Sequence, residues 1–285
     1  MIVMQEELRK TCRRLLEEGT VQVVIGYGQA DDDAPAFPIF VTKPTDVDQL
    51  VWNDRCFANL TGYLYRKEIA SLGKAAICVK GCDERALLVL EKESQIDRSN
   101  IVVIGLACDG VGQPRQPKCE ACDVHMPRRA DVVVGEAADK NPKVETPNRY
   151  AAIEEFLKQT PAERMAYWTN ELKRCVKCYA CRQVCPLCYC RQCIADKNRP
   201  VAISTSATLK GNVAWQITRA FHLAARCVGC DECTRACPAG IDLRLLNLSL
   251  AKVAEEHFDY RAGMDADAEP IVGSYSEQDR EEFIR

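Results

Sequence analysis

Apolar positions along the first 140 residues change period several times. Leu8, Cys12, Leu15 and Leu16 recur at helical spacing, and Gly19 follows where a helix C-terminus favours a residue that accepts positive φ. A first helix ending there is expected. Four runs are then continuously apolar and β-branched: residues 21–25, 75–79, 101–106 and 132–134, each bounded by Gly or Asp. They predict buried strands. Between them, Thr45 with Asp48 reads as a helix N-cap with an acidic third position, and residues 83–93 turn Ala86, Leu87 and Leu90 to one helical face. Alternating strands and helices of this kind predict an α/β fold with a mainly parallel sheet.

The pattern shifts near residue 139. Residues 139–148 are polar with two prolines and read as a linker. Thr160-Pro161-Ala162-Glu163 opens a new helix with a capping Thr, Pro at the first helical position and Glu at the third. Further on, 213–225 reads as an amphipathic helix, and 242–258 carries Leu245, Leu246, Leu248, Leu250 and Val253 at helical intervals. The expected organisation is an α/β domain over 1–140, a linker and helix over 141–172, a mostly helical ferredoxin-like domain over 173–260, and an acidic, loosely ordered tail over 261–285. Gly26-Tyr27-Gly28 reads as a turn, because it lacks the third glycine of a nucleotide loop. Asp31 to Asp33 read as a solvated loop.

Composition narrows the function classes. The 285 residues are 47% hydrophobic and 28% charged, as in ordinary globular domains. With 38 basic against 41 acidic residues and no long basic block, nucleic acid is not an expected partner. No apolar stretch reaches the roughly 18 to 20 residues of a membrane helix, and the N-terminus turns charged at once, so no membrane association and a cytoplasmic location are expected.

The chemistry lies in 18 cysteines, 11 of them within 175–237. Without an export signal such crowding points to metal thiolates rather than disulfides. Cys175, Cys178, Cys181 and Cys185-Pro186 form one run, and Cys227, Cys230, Cys233 and Cys237-Pro238 another, at one shared spacing. That spacing is the one ferredoxins use for cubane 4Fe-4S clusters, in which the cysteine before proline ligates the other cluster. Cys175, Cys178, Cys181 and Cys237 are therefore expected on one cluster, and Cys227, Cys230, Cys233 and Cys185 on the other. Zinc, which Cys-x2-Cys pairs also suit, is the competing metal.

Other thiols are less patterned. Cys188, Cys190 and Cys193 have no local fourth partner; they either help ligate a further cluster or pack as small hydrophobes. Cys82, Cys108 and the Cys119-x2-Cys122 pair follow successive predicted strands, whose C-terminal ends share a crevice in a parallel sheet. A third cubane is the preferred reading there, ahead of zinc or unligated thiols. Cys12, Cys56 and Cys78 stand singly and read as structural, and His125, His222 and His257 as packed or surface residues. No catalytic acid–base pair or activated nucleophile stands out.

The two cysteine runs, their wide separation and the Cys237-Pro-Ala-Gly-Ile-Asp end resemble the α-helical ferredoxin domains of heterodisulfide reductase and succinate dehydrogenase iron-sulfur proteins. Lys80-Gly81-Cys82-Asp83, the stretch from Gly105 to Gly110, Cys119-x2-Cys122 and the run from Cys175 to Cys190 resemble the beta subunits of deazaflavin-dependent hydrogenases and formate dehydrogenases, over roughly residues 20 to 250. The resemblance implies a subunit passing electrons between a hydrogenase or formate dehydrogenase and a heterodisulfide-reductase-like, flavin-based bifurcating partner. Some members of that family bind FAD and act on the deazaflavin coenzyme. That makes a flavin enzyme working on a deazaflavin or nicotinamide the alternative, although no flavin fingerprint is read here.

Overall fold

The structure, a computed structural model, describes residues 2–136, 148–196, 200–201 and 203–272. Most of the expected linker and the last part of the acidic tail lie outside the described residues. The chain forms two compact units, 1–148 and 149–285.

In the first unit, helix α1 (Ile2–Glu17) ends ahead of Gly19, whose φ is 67°. Strands β1 (Val23–Gly28), β2 (Phe37–Val41), β3 (Ala75–Val79), β4 (Ile101–Leu106) and β5 (Val132–Val134) form one sheet in the order β2-β1-β3-β4-β5. Every pairing is parallel except β1 with β2. Strands β1, β3 and β4 are buried along their whole length, which is why they read as unbroken apolar runs. Further helices of this unit are α2 (Lys67–Ala70), α3 (Gly81–Lys92) and α4 (Pro117–Glu120).

Two local expectations are corrected, and one strand was not foreseen. Gly26-Tyr27-Gly28 is not a turn but the end of β1. A Cβ at Gly26 would meet Leu50 Cδ2 at 2.3 Å and one at Gly28 would meet Ile39 Cγ2 at 2.6 Å, so close packing on the strand, not backbone reversal, calls for glycine. Strand β2 was hidden by Pro38, a residue that strands tolerate chiefly at an edge, and β2 is an edge strand. The helix expected from Thr45 is a 3-10 segment, Pro44–Gln49, preceded by Lys43 with no side-chain cap.

The second unit is helical: α5 (Ala151–Leu157), α6 (Pro161–Lys173), α7 (Ala180–Gln183), α8 (Leu209–His222), α9 (Glu232–Arg235) and α10 (Leu243–Phe258). At the start of α6 the Thr160 hydroxyl accepts from the Glu163 amide at 3.3 Å while Glu163 accepts from the Thr160 amide at 2.7 Å, a reciprocal capping box. Asp242 caps α10 through the Leu245 amide at 3.1 Å. The core here is small and gathers Leu172, Trp215, Ile241 and Leu243 against several of the cysteines. Among the described residues no helix is long and apolar enough to cross a membrane.

Candidate metal centres

The two cysteine runs fold into the same loop. In Cys175 to Cys181, Lys177 and Tyr179 have φ of 52° and 61°; in Cys227 to Cys233 the matching Gly229 and Asp231 have 73° and 65°. Both loops thus use left-handed backbone on either side of the middle cysteine and then enter a short helix, α7 or α9. Left-handed backbone costs a residue with a side chain roughly 1–2 kcal/mol. Three of these four residues carry one, so the shape is retained against local preference, as happens where a site constrains the chain.

The sulfurs from these loops surround two separate cavities. One is lined by Cys175, Cys178, Cys181 and Cys237 with Trp215 and Ile241. The other is lined by Cys185, Cys227, Cys230 and Cys233 with Arg219 and Asn247. Each cavity therefore takes three cysteines from one run and the Cys-Pro cysteine of the other, the crossed sets that the spacing led us to expect. Among the described residues no three ligating side chains converge as closely as a single ion requires. Each quartet instead lines one small cavity, and a set of four thiol donors is what a cluster with four corners needs.

Polar side chains on the helices reach back to these loops. From α8, Asn212 Nδ2 donates to the carbonyls of Leu172 at 2.9 Å and Cys175 at 2.7 Å, Gln216 Nε2 approaches Cys181 Sγ at 3.9 Å, and Arg219 Nη2 donates to the Cys181 carbonyl at 3.0 Å. Asn247 of α10 points Nδ2 at Cys233 Sγ, 3.6 Å away. Sequence reasoning missed these residues, although 212, 216 and 219 lie on one helical face and make a polar stripe on an otherwise amphipathic segment. Burial pushes the thiols of Cys181, Cys227, Cys230 and Cys233 up. Such a pocket penalises bare thiolates and favours ones neutralised by a bound metal centre.

The additional thiols separate. A hydrogen bond between Cys185 and Cys188 pushes the Cys185 thiol up and the Cys188 thiol down, so Cys188 sits directly beside an expected ligand. Cys190 is exposed and Cys193 packs against the local core. Their segment is tied down at Asp196, which pairs with Arg182 and accepts from Trp215 Nε1 at 2.7 Å.

In the first unit, Cys82 sits in the first turn of α3, directly after β3, and Cys108 follows β4. Cys119 lies in α4, and its sulfur accepts from the Val111 amide at 3.5 Å. Their electrostatic contacts run Cys82 to Cys122, Cys122 to Cys119 and Cys119 to Cys108, so the four thiols occupy one neighbourhood above the strand ends. Burial pushes Cys108 up to about 11, raises Cys122, and with Asp83 lifts Cys82 well above its ordinary value. His125 Nδ1 lies 3.0 Å from the Cys108 carbonyl, and the Cys108 amide donates to the His125 carbonyl, also at 3.0 Å. The loop comes so close that a Cβ on Gly81 would meet the Val124 carbonyl oxygen at 2.2 Å.

Beneath these thiols lies Lys80, 1% exposed. Its ammonium is 2.8 Å from Asp83 and donates to the Ala58 carbonyl at 2.9 Å and to the Tyr27 hydroxyl, which itself donates to Ala58 at 2.6 Å. Burial works against its charge, but Asp83, Tyr27 and Cys82 outweigh it and hold the ammonium well above the ordinary lysine range. The positive charge acts in turn on Cys82, Cys108 and Cys56. Lys118, 2.6 Å from the Phe57 carbonyl, adds a second cation acting on Cys82. The remaining cysteines, Cys12, Cys56 and Cys78, are buried, but Cys12 and Cys78 are hydrogen-bonded to each other rather than single. His222 and His257 are exposed.

Residues 174–242 match the family described as a 4Fe-4S dicluster domain. Similar proteins include the F420-dependent formate dehydrogenase subunit beta of Methanocaldococcus jannaschii, 23% identical over 349 aligned positions that cover 90% of this chain and 91% of the relative. The F420-dependent formate dehydrogenase 1 subunit beta of Methanococcus maripaludis is 25% identical over 354 positions, covering 91% and 90%. Both alignments are longer than the 285 residues of the chain, so these relatives carry segments that it lacks. The resemblance read from the cysteine motifs is borne out: this chain carries a 4Fe-4S dicluster domain and is, over nine tenths of its length, a homologue of proteins named as formate dehydrogenase beta subunits.

Proposed function

We propose that this chain is a non-catalytic electron relay in a multi-subunit oxidoreductase. Cys175, Cys178, Cys181 and Cys237 hold one 4Fe-4S cluster, Cys227, Cys230, Cys233 and Cys185 hold a second, and Cys82, Cys108, Cys119 and Cys122 hold a third. The observation that carries the reading is the pair of cavities, each lined by a crossed quartet of thiols. When bound, each cluster supplies a one-electron redox centre whose potential follows charge, hydrogen bonding and burial around its sulfurs. The chain's own residues fix those conditions. Gln216 and Asn247 direct N–H groups at ligand sulfurs, Trp215 and Ile241 keep the first cavity apolar, and Lys80 holds a buried cation under the N-terminal quartet.

In this reading the domain division is 1–140, 141–172, 173–260 and 261–285. Donor and acceptor are neighbouring subunits: a hydrogenase or formate dehydrogenase module on one side and a heterodisulfide-reductase-like, flavin-based bifurcating partner on the other. The complex works in the cytoplasm, with no nucleic acid or membrane as partner.

The names of the relatives favour a second reading, in which the chain binds FAD and itself oxidises or reduces a deazaflavin or nicotinamide coenzyme. Against it stand the absence of a flavin fingerprint in the sequence and the segments of the relatives that this chain lacks. Iron, acid-labile sulfide, zinc and flavin per chain, measured on anaerobically purified protein, test both. About 12 iron atoms without flavin support three cubanes and the relay, and about 8 support two, at four irons per cluster. Stoichiometric flavin supports the enzyme, and zinc without iron or sulfide overturns both.

A further inference from the structure

Arg219, on the third position of the polar stripe of α8, touches both halves of the dicluster site. Its side chain is 5% exposed. Nη2 donates to the carbonyl of Cys181, a member of the first quartet, while Arg219 is also among the residues lining the cavity of the second. It also donates to the Cys188 sulfur, and its Nε, equally buried, has no hydrogen-bond partner among the described residues. Burying a guanidinium is unfavourable unless negative charge lies close by. The groups that act on this one most strongly are the sulfurs of Cys188, Cys185, Cys233 and Cys181, which hold it charged.

Resting on the relay reading above, we infer that Arg219 is a counter-charge shared by the two clusters, raising the reduction potential of both. Taking up one electron adds one negative charge to a cluster and makes or breaks no bond. A fixed cation near both therefore favours the reduced state of each, an effect that burial strengthens. The orphan Nε gives the guanidinium a donor still to place once the cavity is filled. Arg244 is the natural contrast, since it lines the second cavity alone, with Nε 3.4 Å from the Gly229 carbonyl.

The test uses the full-length chain, purified anaerobically as wild type, Arg219→Met, Arg219→Lys and Arg244→Met. Iron and sulfide are counted first, and each protein is then titrated with dithionite while paramagnetic resonance follows the two clusters. Arg219→Met is expected to keep its iron and shift both midpoint potentials to more negative values, Arg219→Lys to shift them less, and Arg244→Met to shift only the cluster of Cys227, Cys230, Cys233 and Cys185. A fully loaded Arg219→Met with one or both potentials unmoved overturns the inference. If Arg219→Met loses iron, the lysine variant decides: loaded, with both potentials at or only slightly below those of the wild type, it supports the counter-charge, whereas lost iron there leaves Arg219 a purely structural fork. A wild type without iron would instead defeat the relay reading itself, which keeps the two failures distinct.

Discussion

The two units gather their thiols by opposite means. In the second, three of every four cysteines come from one short loop whose left-handed residues repeat from Lys177 and Tyr179 to Gly229 and Asp231, and only Cys185 and Cys237 travel. In the first, Cys82, Cys108 and the pair Cys119 and Cys122 arrive from separate elements, and what brings them together is the parallel order of β3 beside β4. A loop-built site carries its geometry in its spacing, whereas a sheet-built site depends on a whole fold being intact. The loop-built site should therefore survive damage elsewhere, and the sheet-built site should not.

The largest expected effect breaks that contrast on the ligands. Cys82→Ala is expected to remove about 4 iron atoms per chain, one cubane, and leave the dicluster iron in place; Cys178→Ala should remove a similar amount while sparing the N-terminal quartet. Iron and sulfide counts on the two variants check this. Next comes Lys80→Met, which strands Asp83 in the interior 2.8 Å from a missing cation. Removing one partner of a buried ion pair costs about 3–5 kcal/mol. Chemical denaturation should show the loss in the first unit, with N-terminal iron released along with it and dicluster iron retained.

Gly81→Ala sharpens the point without touching a ligand or a charge. Its Cβ must displace the Val124 carbonyl, so a cost of about 1–3 kcal/mol is expected from overpacking. The loop carrying Cys119 and Cys122 should shift away from Cys82, and the spectral signature of the N-terminal site should change ahead of the others. The smallest effect is at the start of α6. Thr160→Ala should cost about 1 kcal/mol through loss of the cap. The amide and hydroxyl of Thr160 hold the Glu163 carboxyl below its ordinary value. A depressed carboxylate contributes stability that is complete above the unfolded value and fades as pH falls through the folded one. The wild-type advantage over Thr160→Ala should accordingly shrink in mildly acidic solution, as denaturation of apoprotein across that range would measure.

How much of this was legible follows the same division. The spacing of the two cysteine runs made their shared loop legible, because adjacent residues make each loop. Strands β3, β4 and β5 were legible as apolar runs, and the Thr160 cap as a four-residue motif. Strand β2 was not, since Pro38 argues locally against a strand and only the edge position beside β1 excuses it. Gly26 and Gly28 misled for a related reason: glycine signals a turn in sequence, while here Leu50 and Ile39, distant in the chain, demand the missing Cβ. Lys80 carried no sign of burial, because Tyr27, Ala58 and Asp83 converge on it only in the folded sheet. The stripe of Asn212, Gln216 and Arg219 was readable in principle as three polar positions on one helical face, but nothing in sequence says that the face looks toward sulfur.

The crossed quartets are the centre of the account, and paired ligand removals test them most directly. Iron per chain is measured on anaerobic Cys237→Ala, on Cys175→Ala/Cys237→Ala and on Cys227→Ala/Cys237→Ala. If Cys237 serves the cluster of Cys175, the first double variant loses no more than the single one, about 4 irons, while the second loses about 8. The reverse pattern, with Cys227→Ala/Cys237→Ala costing a single cluster and Cys175→Ala/Cys237→Ala costing two, would mean that each run closes on itself and would contradict the arrangement described above.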